Sequence, residues 1–223
     1  MRITRVINHF WKWFEQHAES YHGFHTRPEK EINYMLDELN THLRAYCKYL
    51  EAAVGIYHTT GIGILVITAN GRERYFDKAD KLVAKAPALE GWEIQSLNPP
   101  GPPDLMLDVY FPNTSMDPAR LWFYPVSDKP CCKKDIIVYS ELYTADNKDY
   151  KFECAVRMII SNILGERAAA LHIGAIYLSN LSEASCKEEL MRLEDLPAFV
   201  NDPLSGCFEV DERGQLRHHK EKY

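Results

Sequence analysis

A few carboxylates, imidazoles, thiols and indoles are the residues of this sequence that could do chemistry, provided the fold brings some of them together. Asp104 and Asp108 lie four apart in "DLMLD". On a strand that spacing puts both side chains on one face. Two neighbouring carboxylates whose pKa values burial drives apart can divide acid and base work; a solvated acidic face is the simpler account. Glu166 and Arg167 follow Gly165, where they would form a polar cluster at a sheet edge or an ordinary surface ion pair. His172 falls inside the apolar run "ALHIGAIYL", the setting of a packed boundary imidazole more often than of a base. Cys154, between Phe152 and Val156, fits a packed thiol.

The indoles are the other candidates. Trp11 and Trp13 stand in "FWKWF", Trp92 opens "WEIQSL" and Trp122 opens "WFYPV". Large indoles normally belong to the core, with the N–H finding an acceptor. If a pocket exists, Trp92 and Trp122 are expected to wall it, and Trp11, Trp13, Trp92, Trp122 and Glu166 are the candidate ligand or partner contacts. No catalytic residue is assigned. "GIG" at 61–63 precedes a strand instead of following one and lacks the third glycine, so it is no dinucleotide fingerprint. Walker A, G-x-S-x-G and H-E-x-x-H patterns do not occur. The adjacent thiols of Cys131 and Cys132 offer no C-x-x-C, and no second pair answers them, so neither a structural metal nor a cofactor is expected.

The elements that must position these residues follow from periodicity. Val6, Phe10, Trp13 with Phe14, His17 and Tyr21 repeat at helical spacing, and Ile7, Trp11 and Ala18 widen that face. A second helix is announced by "TRPE" at 26–29, a capping box with proline in the first turn, and its apolar spacing continues to Leu50. Strands are expected at Gly61–Thr68, in "GWEIQSL", and at Leu105–Phe111, Leu121–Val126, Asp135–Tyr139 and within "ALHIGAIYL". Helices are expected from Phe76 to Ala86 and from Phe152 to Ile163, the latter ended by Gly165 at C′, with one or two small terminal helices in "KEELMRLEDLPAFV". The fold class is therefore α+β: a mainly antiparallel sheet with helices on one face, in a split β-α-β, ferredoxin-like topology, preceded by two helices. Residues 1–52 would form the helical pair, packed on an α+β body of residues 53–223 as one compact unit. "NPPGPP" at 98–103 reads as a stiff extended connector between two halves.

Composition narrows the function classes. The chain of 223 residues is 46% hydrophobic and 26% charged, an ordinary globular balance. A net charge of −6 with interspersed signs argues against nucleic acid, whose phosphates demand clustered Lys and Arg. Only the tail "RHHKEKY" is locally basic. No run of about 20 apolar residues occurs and no leader is visible, so a cytosolic protein with six free thiols is expected.

The stretch Leu65–Pro100, with "LVITANG", "KAPALEGW" and "LNPP", resembles a family of uncharacterised bacterial proteins with an ITADG turn, an AAPxLxGW segment and RPP. The aromatic "FWKWFEQ" and the late "LGE" at 164–166 are similar too. Asn70 and Asn98 stand where that pattern carries an acid and an arginine. The resemblance implies a bacterial cytoplasmic α+β protein and carries no established activity. The resulting expectation is a non-enzymatic binding or regulatory protein acting through protein contacts, in one form an immunity or inhibitor protein against a basic partner. The alternative is an enzyme with an atypical cleft built around Trp92, Trp122 and nearby carboxylates.

Overall fold

The computed structural model describes residues 2–57, 59–112, 116–126, 133–144, 150–201, 208–210 and 216–218. They form two compact units that meet in the chain between Asn98 and Pro99, inside the proline segment.

The first unit opens with helix α1 (Arg2–His22) and helix α2 (Glu29–Arg44). Ile7, Phe10, Trp11, Phe14, Ala18 and Tyr21 are buried, whereas Trp13 and His17 are only half-buried. The apolar stripe is therefore centred on the Trp11 side of the expected face. Tyr21 ties the two helices by donating its hydroxyl to the carbonyl of Met35 at 2.7 Å. The capping box is not made. Thr26 instead donates to the carbonyl of Gly23 within a short 3-10 turn, and Pro28 precedes the first helical residue with no side-chain cap. Helix α2 ends at Arg44, short of the expected Leu50, because the chain turns into strand β1 (Glu51–Ile56). Asn40 accepts the backbone N–H of Ala52 at 2.8 Å and so fixes that turn.

Strand β1 pairs antiparallel with β2 (Gly63–Thr68), and β2 pairs parallel with β3 (Trp92–Ser96), giving the order β1-β2-β3. Helix α3 (Phe76–Val83) makes the crossover and buries Phe76, Ala79 and Leu82. Asn70 and Gly71, both at positive φ, supply the left-handed turn that leaves β2.

The second unit holds a four-stranded sheet of order β6-β5-β4-β7. Its strands are β4 (Trp122–Val126), β5 (Lys134–Ser140), β6 (Ile173–Asn180) and β7 (Met191–Arg192). Helix α5 (Tyr150–His172) links the parallel pair β5 and β6. Phe123, Ile136 and Val138 of the sheet meet Phe152, Val156, Ile159 and Ile160 of α5 in one core. Helix α6 (Leu196–Asn201) closes it with Leu196 and Phe199. Gly165 interrupts α5 at φ 76° and ψ 157°, a conformation that favours glycine, and a second helical stretch then runs to His172. A small ladder pairs β8 (Phe208–Val210) with β9 (Leu216–His218).

The class is α+β, but one expected sheet is two. In each sheet the parallel strands are direct neighbours joined by a helix, with no strand between them as a split β-α-β would place. The two N-terminal helices share a unit with β1–β3, and the division between the units falls after residue 98. The segment expected as a strand over Leu105–Phe111 holds turns and a one-turn helix, α4 (Leu107–Tyr110). Met106 stands before it at φ 63°, which a strand cannot accommodate.

Candidate functional site

Each expected site residue has a definite place. Trp11 is 3% exposed and donates its indole N–H to the carbonyl of Leu82 at 2.9 Å. It is a satisfied core residue, unavailable to a partner. Trp13 is half-buried between two imidazoles, with His42 at 4.0 Å and 18° on one contact and His17 at 4.7 Å and 22° on another. Burial, the largest influence, lowers the pKa of His42; Glu38 raises it, and His9 and His17 lower it further.

Trp92 is half-buried at the start of β3. Its ring lies flat over Gly63, its register partner on β2, where no Cβ stands in the way. Phe14 meets the indole edge-on at 5.2 Å and His22 does so at 5.8 Å. Beside this ring a groove of about 510 Å³ opens, walled by Glu15, Glu19 and His22 of α1 and by Leu89, Glu90 and Trp92. Glu15, Glu19 and Glu90 are exposed. A second groove, of about 630 Å³, is lined by Ala86, Pro87, Leu89, Glu90, Trp92 and Ile94. Leu89, Glu90 and Trp92 border both, so the indole lies between a trough rimmed by three glutamates and one to which Ala86, Pro87 and Ile94 contribute. The three glutamates and His22 were not among the expected site residues. Their signal was present: Glu15, Glu19 and His22 repeat at i, i+4, i+7 along one face of α1.

Trp122 belongs to the second unit, where it pairs across the strands with Arg192. The guanidinium lies 4.8 Å from the ring centroid and also donates to the carbonyl of Ala119. The aromatic face is thus engaged by a cation of its own chain. Asp104 and Asp108 are both exposed, one in a turn and the other on α4, and they share no strand face. Glu166, expected at the surface, is 5% exposed at the first residue after the Gly165 break. A carboxylate there gains from the positive end of the helical stretch it opens. His172 ends α5 instead of sitting within a strand, and Cys154 is half-buried on the same helix. Cys131 and Cys132 lie outside the described residues.

Among the described residues no group of three or more His, Cys, Asp or Glu is placed to hold a metal ion, and no helix is long and apolar enough to cross a membrane. Comparison of the chain with protein-family models, with curated proteins and with solved structures gave no match.

Proposed function

We propose that this is a protein-binding module, and that the Trp92 groove of the first unit receives a basic side chain of its partner. One observation carries the reading: an indole held in place by Gly63, Phe14 and His22 borders a trough whose rim is Glu15, Glu19 and Glu90. A Lys or Arg laid against the indole gains about 0.5–2 kcal/mol. Each exposed carboxylate on the rim adds at most about 1 kcal/mol. Pro87, Leu89 and Ile94 in the second groove offer apolar side chains to an aliphatic or aromatic neighbour of that basic residue. Anchors of this size give specificity to a larger contact and do not by themselves make a tight complex. An inhibitor or immunity protein that covers a basic patch of its target is one such use.

The test is calorimetric titration of the full chain with a peptide carrying Arg next to Leu, beside a control peptide with Gln in place of Arg. Wild type is expected to prefer the basic peptide, Trp92→Ala to lose about fivefold or more in affinity, and salt at about 0.5 M to weaken binding. Equal affinity for the two peptides, or no effect of Trp92→Ala, overturns the reading.

A further inference from the structure

On the same unit a different surface carries the opposite charge. Tyr49 and Tyr75 are stacked, with centroids 4.5 Å apart and planes 21° from parallel. Lys48 lies 4.9 Å from the Tyr49 centroid, Lys78 5.5 Å from that of Tyr75, and Arg74 approaches both rings at 5.6 and 4.8 Å. Arg72 donates to the carbonyl of Tyr49 at 3.3 Å, and Tyr46 donates to that of Lys78 at 3.1 Å. Lys48, Arg72, Arg74 and Lys78 are all exposed, and none of them forms an ion pair among the described residues. Glu73 and Asp77 are the acids of segment 72–78. The cations leave a chemical trace on the stack. The Tyr49 phenol is held below its ordinary pKa, first by the Lys48 hydrogen bond and charge, then by the Tyr75 hydrogen bond, with Arg74 adding to the effect.

Four like charges gathered on a chain of net charge −6 form a local positive field that an anionic partner would neutralise. We infer that this tyrosine-backed patch docks an acidic segment of a partner protein. Two features select that occupant. Tyr49 stacks on Tyr75 and is approached by Lys48 and Arg74, and Tyr75 is itself buried, so the stack offers no open platform for a nucleobase. The cations are also distributed around two rings, which suits carboxylates spaced along a peptide better than one phosphate held at a single point. Arg72 and Arg74 supply planar forks that match carboxylates. Rim charges of this kind act mainly on encounter rate and salt dependence.

The test uses the full chain and a fluorescein-labelled peptide of alternating Glu and Ser, followed by anisotropy. Wild type is expected to bind at low salt and to weaken about tenfold or more on raising salt to about 0.3 M. Arg74→Gln/Lys78→Gln is expected to weaken binding about tenfold, with a calorimetric melt confirming that the variant is folded. Trp92→Ala keeps the four cations and the tyrosine stack and is expected to bind within about twofold of wild type. That separates this surface from the Trp92 groove, since either can fail alone. Absence of binding, or unchanged affinity in the double variant, overturns the inference. So does displacement by inorganic phosphate at the peptide's own concentration, or tighter binding of a single-stranded oligonucleotide than of the peptide.

Discussion

Gly63→Ala tests whether the Trp92 groove is preformed. A Cβ built on Gly63 meets the Cδ2, Cε3 and Cζ3 atoms of Trp92 at 3.0 Å, closer than a carbon normally stands to an aromatic ring. The ring cannot simply lift away, because Phe14 packs edge-on at 5.2 Å and His22 at 5.8 Å. Overpacking at such a site costs about 1–3 kcal/mol. Replacing glycine also restricts the unfolded chain, which returns about 0.4–1 kcal/mol. The net expectation is a loss of about 1–2 kcal/mol. For a unit of this size each kcal/mol lowers the melting temperature by about 4–8 °C. Scanning calorimetry of wild type and Gly63→Ala measures it, and the basic-peptide titration of the same variant reads the groove. Trp92→Phe removes ring atoms that clash, so in the double variant Gly63→Ala should cost about 1 kcal/mol less than it does in wild type. A Gly63→Ala protein that melts at or above the wild-type temperature, with additive effects in the double variant, refutes the argument. The indole would then be free to move, and the groove would lose its fixed wall.

Two further outcomes follow from other contacts. In the second unit a Cβ on Gly174 would clash with Oδ1 of Asp135, the oxygen that accepts the N–H of Ala175 at 2.6 Å. Gly174→Ala should therefore swing the carboxylate off that N–H and cost about 2 kcal/mol in urea denaturation. Asp135→Ala should recover part of that loss in the double variant, and equal penalties in both backgrounds would exclude the clash as the cause. In the first unit burial holds the His42 pKa below its unfolded value of about 6.5. Between the two values the unfolded chain binds more protons, so the stability His42 contributes is present above pH of about 6.5 and is lost as pH falls. His42→Phe keeps a ring against Trp13, and its melting temperature should fall less than that of wild type between about pH 7.5 and 5.5. An identical pH slope in the two proteins would remove His42 from the account.

The parts of the fold that were legible are those where one local signal acts unopposed. "ILVIT" and "IIVY" are β-branched runs and became β2 and β5, while the apolar spacing of 152–163 became α5, with Gly165 ending its first stretch. The misses have equally local causes. "EAAVGI" lacks a strand's β-branched density, so no element was expected after Leu50 and β1 went unseen. "LMLDVYF" has a strand's composition, but Met106 within it takes a left-handed turn, and Asn162 holds the start of the segment to α5 by donating to the carbonyls of Pro103 and Leu105. Tertiary contact outweighed β-propensity there.

The candidate site was less legible for a reason specific to its construction. Trp92 was named, but the residues that make it a groove come from two places some 70 positions apart, as the His22–Gly91 contact marks. A helix face of Glu15, Glu19 and His22 looks like any solvated face until β3 brings an indole beside it. The cation patch is similar: Lys48 and Tyr49 follow α2, and Arg72 to Lys78 follow β2, so neither half is unusually basic alone. The net charge of −6 hides both surfaces, because an average over the chain removes the separation that binding would use. Residue type was an equally blunt guide, since Trp92 and Trp122 both stood out as pocket walls and all four tryptophans were candidate contacts. Trp11 is closed off by its bond to Leu82, Trp13 lies against histidines and Trp122 lies against Arg192, whereas Trp92 borders open space lined with carboxylates. What distinguishes a contact residue here is the partner each ring already has, and that is a property of the fold.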